Sequence, residues 1–215
     1  MYSGIGPAPV ERNPEKKPMA FDDGDFQTPG ELRTDEFLLR PIRASDAGLD
    51  YEAVMESKVF LRPWEQSGWP QDDFTVEANR EDLAKLQRRH ADGESFTYTV
   101  MNPAETRCLG CVYILPTAAR LFSKAEISAV DDARWSGFEA AVYFWIRESR
   151  LADGLDRRLL AALGPWLEHA WRIEGHLVVT NEQFEQQVAM IERTNRRLKF
   201  RLAFPNEPGR TLAYA

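Results

Sequence analysis

The chain's fold is decided by Ala140-Ala-Val-Tyr-Phe-Trp-Ile146, the mixed stretch 147–153, and then Gly154 followed by Leu155-Asp-Arg-Arg-Leu159. An uninterrupted apolar run rich in aromatic and β-branched side chains reads as a buried strand. Beyond the loop, Leu155, Leu159, Ala162, Leu163, Trp166 and Ala170 recur on one helical face. Pro165 lies inside that pattern and predicts a kink or restart, because proline removes a backbone donor and collides with the preceding turn. A buried strand feeding an amphipathic helix through a short loop is a unit of α/β architecture.

Downstream of this unit, His176-Leu-Val-Val-Thr180 reads as a strand, 185–193 as a helix and 197–204 as a strand. Residues 211–215 pair back across Pro205-Asn-Glu-Pro-Gly209. Upstream, Phe96-Thr-Tyr-Thr-Val-Met101 and 108–115 form two alternating runs separated by Asn102-Pro103-Ala104-Glu105, a hairpin signal. A helix is expected over 75–91, with Val76, Leu83 and Leu86 on its apolar stripe and Asp92-Gly93 as its stop. Residues 62–73, with Pro63, Trp64, Trp69 and Pro70, read as an irregular aromatic loop, and 116–137 as a loop insertion with room for one short helix. Phe37-Leu-Leu-Arg-Pro-Ile42 opens the sequence of elements as a strand. Ser45 or Asp46 then caps a helix running to about residue 57. The order β-α-α-β-β-β-α-β-α-β-β, without internal repeats, predicts an α/β sandwich around one mixed sheet.

A chain of 215 residues accommodates one domain plus an extension. The first thirty residues carry five prolines and four glycines without periodicity, so 1–30 reads as a flexible tail that adds little to the core, and 31–215 as the domain. A net charge of −7 with only local basic pairs, Arg157-Arg158 and Arg196-Arg197, argues against a nucleic-acid partner. An acidic surface of this kind can instead draw in cationic amines or basic peptides. No apolar stretch approaches the ~20 residues of a membrane span, and no basic-then-apolar start marks a signal peptide, so a soluble, cytoplasmic protein without a membrane partner is expected. Cys108 and Cys111 have neither further zinc ligands at suitable spacing nor a helix straight after them. They read as buried, reduced thiols on opposite faces of one strand, and no metal site is expected.

The element order resembles the GNAT superfamily of acyl-CoA-dependent N-acyltransferases. The opening Leu32-Arg-Thr-Asp-Glu-Phe-Leu-Leu-Arg40-Pro-Ile, with Asp46 after it, is similar to the Leu-x-Thr-x-x-Leu-x-Leu-Arg-Pro…Asp pattern of its Rim-type branch, whose known members acetylate protein N-termini and small amines. The strand 140–146 resembles that branch's Ala-Glu-Ile-Gly-Tyr-Trp-Leu. The likeness spans 32–215. It implies a single GNAT-like domain with a mixed central sheet of about seven strands, helices on both faces, and a fourth strand (140–146) splayed from the fifth (176–180) to hold a pantetheine arm. The following loop and helix start would present backbone N–H groups to a pyrophosphate. Cofactor contacts are thus implied at Ile146, Arg147, Arg150, Leu151, Ala152, Asp153, Gly154 and Leu155, with acetyl-CoA as co-substrate.

Two positions depart from the family's Arg/Gln-x-x-Gly-x-Gly/Ala loop: Leu151 stands at the Arg/Gln position and Asp156 at the second small position. A carboxylate there suits the helix start but repels a pyrophosphate, with Arg147, Arg150 and Arg157 available to restore the balance. Without the family frame, Gly154 and Asp156 read simply as a loop glycine and a helix-start residue. On the late helix the family's Asn, Ser/Ala and Tyr positions fall on Phe184, Gln187 and Ile191, and its left-handed glycine falls on Asn195.

Acyl transfer to an amine needs a base, an oxyanion donor and a proton for the leaving thiolate. The resemblance places the oxyanion donor at a strand amide near Ile146. It aligns the family's carboxylate with Ala141, and Glu139, two residues earlier on the same face, is the candidate base, ahead of Glu126, Asp131 and Asp132. His176 is a second base candidate. Tyr143, Thr194 or water would supply the acid, and Trp64 and Trp69 an apolar or cation-binding wall for the acceptor. His90 and His169 read as helix-surface residues. The expected activity is N-acyl, chiefly acetyl, transfer from acyl-CoA to an amine of a small molecule or peptide by direct attack in a ternary complex. The alternative is a non-catalytic acyl-CoA-binding or interaction module, and a homodimer is an open option for either.

Overall fold

A computed structural model of the chain describes Phe21 and residues 27–215. Among these, β1 (Leu32–Arg33) and β2 (Leu38–Pro41) lead into α1 (Ala47–Glu56), α2 (Lys58–Glu65) and α3 (Val76–Ala91). Strands β3 (Phe96–Met101), β4 (Cys108–Pro116), β5 (Glu126–Ala129) and β6 (Ala140–Ile146) follow. The chain ends with α4 (Leu155–His169), β7 (His176–Asn181), α5 (Glu185–Glu192), β8 (Leu198–Ala203) and β9 (Thr211–Tyr214). The nine strands form one open sheet in the order β1-β2-β3-β4-β6-β7-β9-β8-β5, so the sheet is wider than the seven strands expected. Every neighbouring pair is antiparallel except β6 and β7.

Alternation along the strands divides the core between two faces. Val142, Phe144 and Ile146 of β6 pack with Leu155, Leu159, Leu163 and Trp166 of α4 and Ile191 of α5. On the opposite face Trp145 packs with Ala53, Val54, Leu61 and Leu83 of the first three helices, and Ala141 packs with Leu177, Phe200 and Leu202. Burying such side chains stabilises the fold by roughly 1.5–3 kcal/mol each.

Several local expectations are corrected. The segment expected to be an aromatic loop begins as helix: Arg62, Pro63, Trp64 and Glu65 lie in α2, whose end is marked by Gln66 at φ 54. α4 does not restart at Pro165 but runs on through it; the proline is exposed, as is Ala161 one turn earlier, where the carbonyl that loses its donor can face water. The insertion contributes an edge strand, β5, rather than only loop. Asp46 does not cap α1, because its carboxylate accepts from Arg40 at 2.7 and 3.1 Å. Asn195 is not left-handed; after α5, the Thr194 amide and hydroxyl both donate to the Ile191 carbonyl, at 2.9 and 2.6 Å.

The cysteines lie on one side of the sheet, not two. Met101 pairs with Cys108 while Val100 pairs with Gly110, so Leu109 is an extra residue that shifts the alternation. Both thiols then face Asp50 Oδ1 at 3.7 Å, and Asn79 donates to the other oxygen at 2.9 Å. Gly110 sits in the bulge at φ +150, where a Cβ would lie 2.1 Å from the Trp145 carbonyl oxygen. Burial raises the Asp50 carboxyl above its ordinary range.

The expectation of a tail over 1–30 falls mostly on residues outside those described. Phe21 itself stacks on Phe96 at 5.7 Å and lies 6.0 Å from Trp171, and the Tyr98 hydroxyl donates to the Pro29 carbonyl at 2.5 Å. Among the described residues no helix is long and apolar enough to cross a membrane.

Candidate active site

β6 and β7 pair only at Ala140–His176, Ala141–Leu177 and Val142–Val178. β6 continues to Ile146 and β7 to Asn181, where β9 covers the far side of β7. The two strands therefore part after Val142, leaving a V whose open end lies toward Ile146 and Asn181. Pairing of Ile146 with Gly110, flanked by the 2.8 Å bond from the Arg147 amide to the Leu109 carbonyl, turns the amides of Ile146 and Phe144 away from β4 and into the V.

A side chain crosses this gap. Thr180 Oγ1 of β7 donates to Gln187 Oε1 at 2.6 Å, and Gln187 Nε2 donates to the Phe144 carbonyl of β6 at 2.9 Å. Gln187 is 2% exposed. Its position on α5 is the one at which the resembling family carries Ser or Ala.

One cavity opens at the start of α4, lined by Leu151, Ala152, Asp153, Gly154, Asp156 and Arg157, together with Gln186, Met190 and Arg193 around α5. Gly154 turns the chain at φ +71, which a side chain would strain, and the amides of Leu155 and Asp156 have no carbonyl one turn back to bond. Arg157 and Arg193 bring positive charge, and Asp153 and Asp156 bring negative charge. Arg150 and Asp153 are tied to each other at 2.8 Å. Arg147 is turned to the other side of the sheet, where its Nε bonds Glu56 at 2.6 Å and its Nη1 donates to the Cys108 carbonyl at 3.3 Å. That guanidinium holds the Glu56 carboxyl down at about 2. The charge expected of Arg147 beside a phosphate is thus spent on α1.

A second cavity, about 560 Å³, lies at the open end of the V. Trp64, Trp69, Tyr113 and Tyr143 line it, together with Glu65 and Glu207 and the ends of β7, Thr180 and Asn181. Trp64 and Tyr113 lie 6.1 Å apart. The end of α2 is strapped to the β8–β9 loop: Gln66 Nε2 donates to Glu207 at 2.8 Å, and the Gly209 amide donates to Gln66 Oε1 at 2.7 Å. Asn181 Nδ2 adds a bond to the Pro63 carbonyl at 2.7 Å. Glu65 is reached by solvent through the cavity yet closely surrounded by protein. Burial and the facing Glu207 push its carboxyl up to about 7. Burial also raises Glu207. The Tyr143 phenol is raised by burial and by both carboxylates, so it stays protonated at neutral pH.

The sequence-derived candidates separate between the two ends of the V. Tyr143, Trp64 and Trp69 share the large cavity, and Leu151 to Gly154 line the small one. Glu139 and His176 line neither. Both stand at the closed end, where the Glu139 amide donates to the Gly175 carbonyl at 2.8 Å and His176 pairs with Ala140. Arg196 donates to His176 Nε2 at 2.8 Å, and burial, reinforced by that cation, lowers the His176 pKa to about 4. Thr194 bonds its own helix end. Glu65 and Glu207 escaped sequence reasoning because nothing local distinguishes them; only the fold brings residues 142 positions apart to one cavity.

No protein-family model matches the chain, and no curated protein matches its sequence. Its architecture, a mixed sheet opened by one splayed parallel pair, matches a GNAT-like fold, and Rim-type ribosomal-protein acetyltransferases are among its structural neighbours. One is RimL, a ribosomal L7/L12 alpha-N-protein acetyltransferase in complex with coenzyme A: 16% identity, TM-score 0.62, covering 86% of this chain and 96% of that one. The ribosomal-protein-S5-alanine acetyltransferase of Vibrio fischeri matches at 16% identity and TM-score 0.62, over 86% and 94% of the two chains. The microcin C7 self immunity acetyltransferase MccE, in complex with acetyl-CoA and AMP, matches at 12% identity and TM-score 0.64, over 87% and 96%.

Proposed function

We propose that the chain is an acyl-CoA-dependent N-acyltransferase that moves an acetyl group to an amine. The observation that carries this reading is the V itself, which has an anion-suited helix start on one side and an aromatic, carboxylate-bearing cavity at its open end. Structural neighbours that bind coenzyme A or acetyl-CoA support it. Leu151 to Leu155 and Arg157 would hold the phosphates, and bound acyl-CoA would supply the thioester carbonyl. The Ile146 amide would bond the oxyanion. The attacking nitrogen would lose its proton to Glu65, the C–S bond would break, and Tyr143 would return a proton to the sulfur. Glu65 takes the base role in this scheme rather than Glu139 or His176, because it shares a cavity with Tyr143. The neighbours that act on ribosomal proteins extend the candidate acceptors to a peptide N-terminus.

The second reading, a non-catalytic acyl-CoA-binding module, is favoured by two observations: Gln187 fills the V, and Asp156 stands among the phosphate-side residues. Calorimetric titration with coenzyme A, paired with thiol release from acetyl-CoA over an amine panel, decides between them. Binding with turnover supports the enzyme, and binding without turnover supports the module. No binding overturns both.

A further inference from the structure

The large cavity carries a charge pattern that selects its occupant. Glu65 accepts no hydrogen bond and forms no ion pair among the described residues. Glu207 has one donor, the Gln66 amide. The cations on the same wall, Lys85 and Arg89, belong to α3, and Lys85 is bound to Asp82 at 2.8 Å. Two carboxylates therefore line one cavity open to solvent, and neither is paired with a cation among the described residues. Two like charges on one cavity favour a proton or a cation between them. Trp64, Trp69, Tyr113 and Tyr143 supply the remaining walls, and the faces of such rings attract an ammonium group. The Tyr143 hydroxyl also makes no hydrogen bond to any described residue, which leaves a polar group on the wall for a ligand to use.

The space is bounded as well as charged. Its volume lies within the range of small-molecule sites. The bonds from Gln66 to Glu207 and Gly209, with that from Asn181 to Pro63, join α2 to the last hairpin across the end of β7. These bonds close the cavity on that side.

We infer that the acceptor is a small cationic amine with an aromatic or branched apolar body, its ammonium held between Glu65 and Glu207 and its body against Trp64 and Trp69. The word acceptor rests on the acyltransferase reading; the binding preference does not, so it is measured without any coenzyme. The probes are 2-phenylethylamine, its neutral isostere 2-phenylethanol, and the anion phenylacetate. Each is titrated into the full chain at pH 8, following tryptophan fluorescence and calorimetry.

The amine is expected to bind about tenfold tighter than the alcohol, a factor in keeping with a charge-assisted contact, and phenylacetate weakest of the three. Glu65→Gln should remove most of that amine-to-alcohol ratio while leaving alcohol binding within about twofold, so the alcohol reports on folding. The wild-type ratio should also rise between pH 6 and pH 8, where 2-phenylethylamine remains protonated. In that window the Glu65 carboxylate gains charge, and the raised phenols of Tyr113 and Tyr143 do not ionise. Asp82, Lys85 and Arg89 complete the ionisable wall, and no histidine lines it. Equal binding of amine and alcohol, preference for phenylacetate, or an unchanged ratio in Glu65→Gln overturns the inference. So does binding of an alanine-initiated tripeptide amide when none of the three probes binds. Loss of coenzyme A binding would overturn the acyltransferase reading alone.

Discussion

Gln187 donates from its side-chain amide to the Phe144 carbonyl at 2.9 Å, and in doing so it spans the gap between two strands that have ceased to pair. That carbonyl belongs to the stretch of β6 facing the V, where a pantetheine arm would have to run. A bound coenzyme would therefore compete with this side chain for one place. Gln187→Ser should tighten coenzyme A binding by about 3–10-fold, the worth of one net hydrogen bond, while lowering the melting temperature through the lost clasp. Weaker coenzyme binding in calorimetry would show that Gln187 supports the site instead of filling it.

Glu65 links acidity to stability with a definite sign. Its folded pKa of about 7 lies above the 4.5 of the free side chain, so the folded state holds the extra proton between those values. Stability contributed by that proton is present below about 4.5 and lost as pH rises through about 7. The melting temperature of Glu65→Gln should consequently fall less than wild type between pH 5 and pH 8. A parallel pair of melting curves would show that the Glu65 carboxyl titrates normally.

Turnover separates the two ends of the V. Glu65→Gln should lower it by roughly 10²–10⁴, as for a positioned base, and wild-type turnover should rise with pH through about 7. Glu139→Gln, at the closed end, should stay within about threefold of wild type by the same reasoning. The reverse ranking in a steady-state assay would return the base to Glu139.

Gly110→Ala meets backbone, not a movable side chain, at 2.1 Å. It should cost about 1–3 kcal/mol or more and lower the melting temperature by at least several degrees. Retention of the wild-type melting temperature would mean that the bulge can flatten.

A chain beginning at Glu31 loses the Phe21 ring from Phe96 and Trp171, and the Pro29 acceptor from a Tyr98 side chain that is fully buried. An orphaned buried hydroxyl alone costs about 1–3 kcal/mol, so thermal denaturation should show a drop of about 3–8 °C. A change under one degree would mean that this segment adds nothing to the core.

The β6–loop–α4 unit was legible because its signals are local: an apolar run, a glycine at the turn and a helical stripe. The early misreadings share a cause in tertiary packing overriding local chemistry. Pro63 and Trp64 look like loop until burial of Leu61 packs α2 onto the core, whereas Trp69 does lie in loop. One inserted residue at Leu109 put both cysteines on one side, and no period-two pattern announces it. The cavity was half legible. Trp64, Trp69 and Tyr143 were visible as aromatic residues near the right elements, whereas Glu65 and Glu207 are ordinary glutamates until the sheet order carries the last hairpin beside β7.

That sheet order also sets a sequence of assembly. β9 lies between β7 and β8, and the Gln66 strap ends on Glu207 and Gly209. During synthesis, the tryptophan wall emerges early and the second carboxylate almost last. Until the last hairpin has docked, the large cavity lacks the wall that carries Glu207. On the binding preference inferred above, selectivity for a cation would be acquired only when the C-terminal hairpin docks, which would make that hairpin a checkpoint on which molecules an immature chain admits.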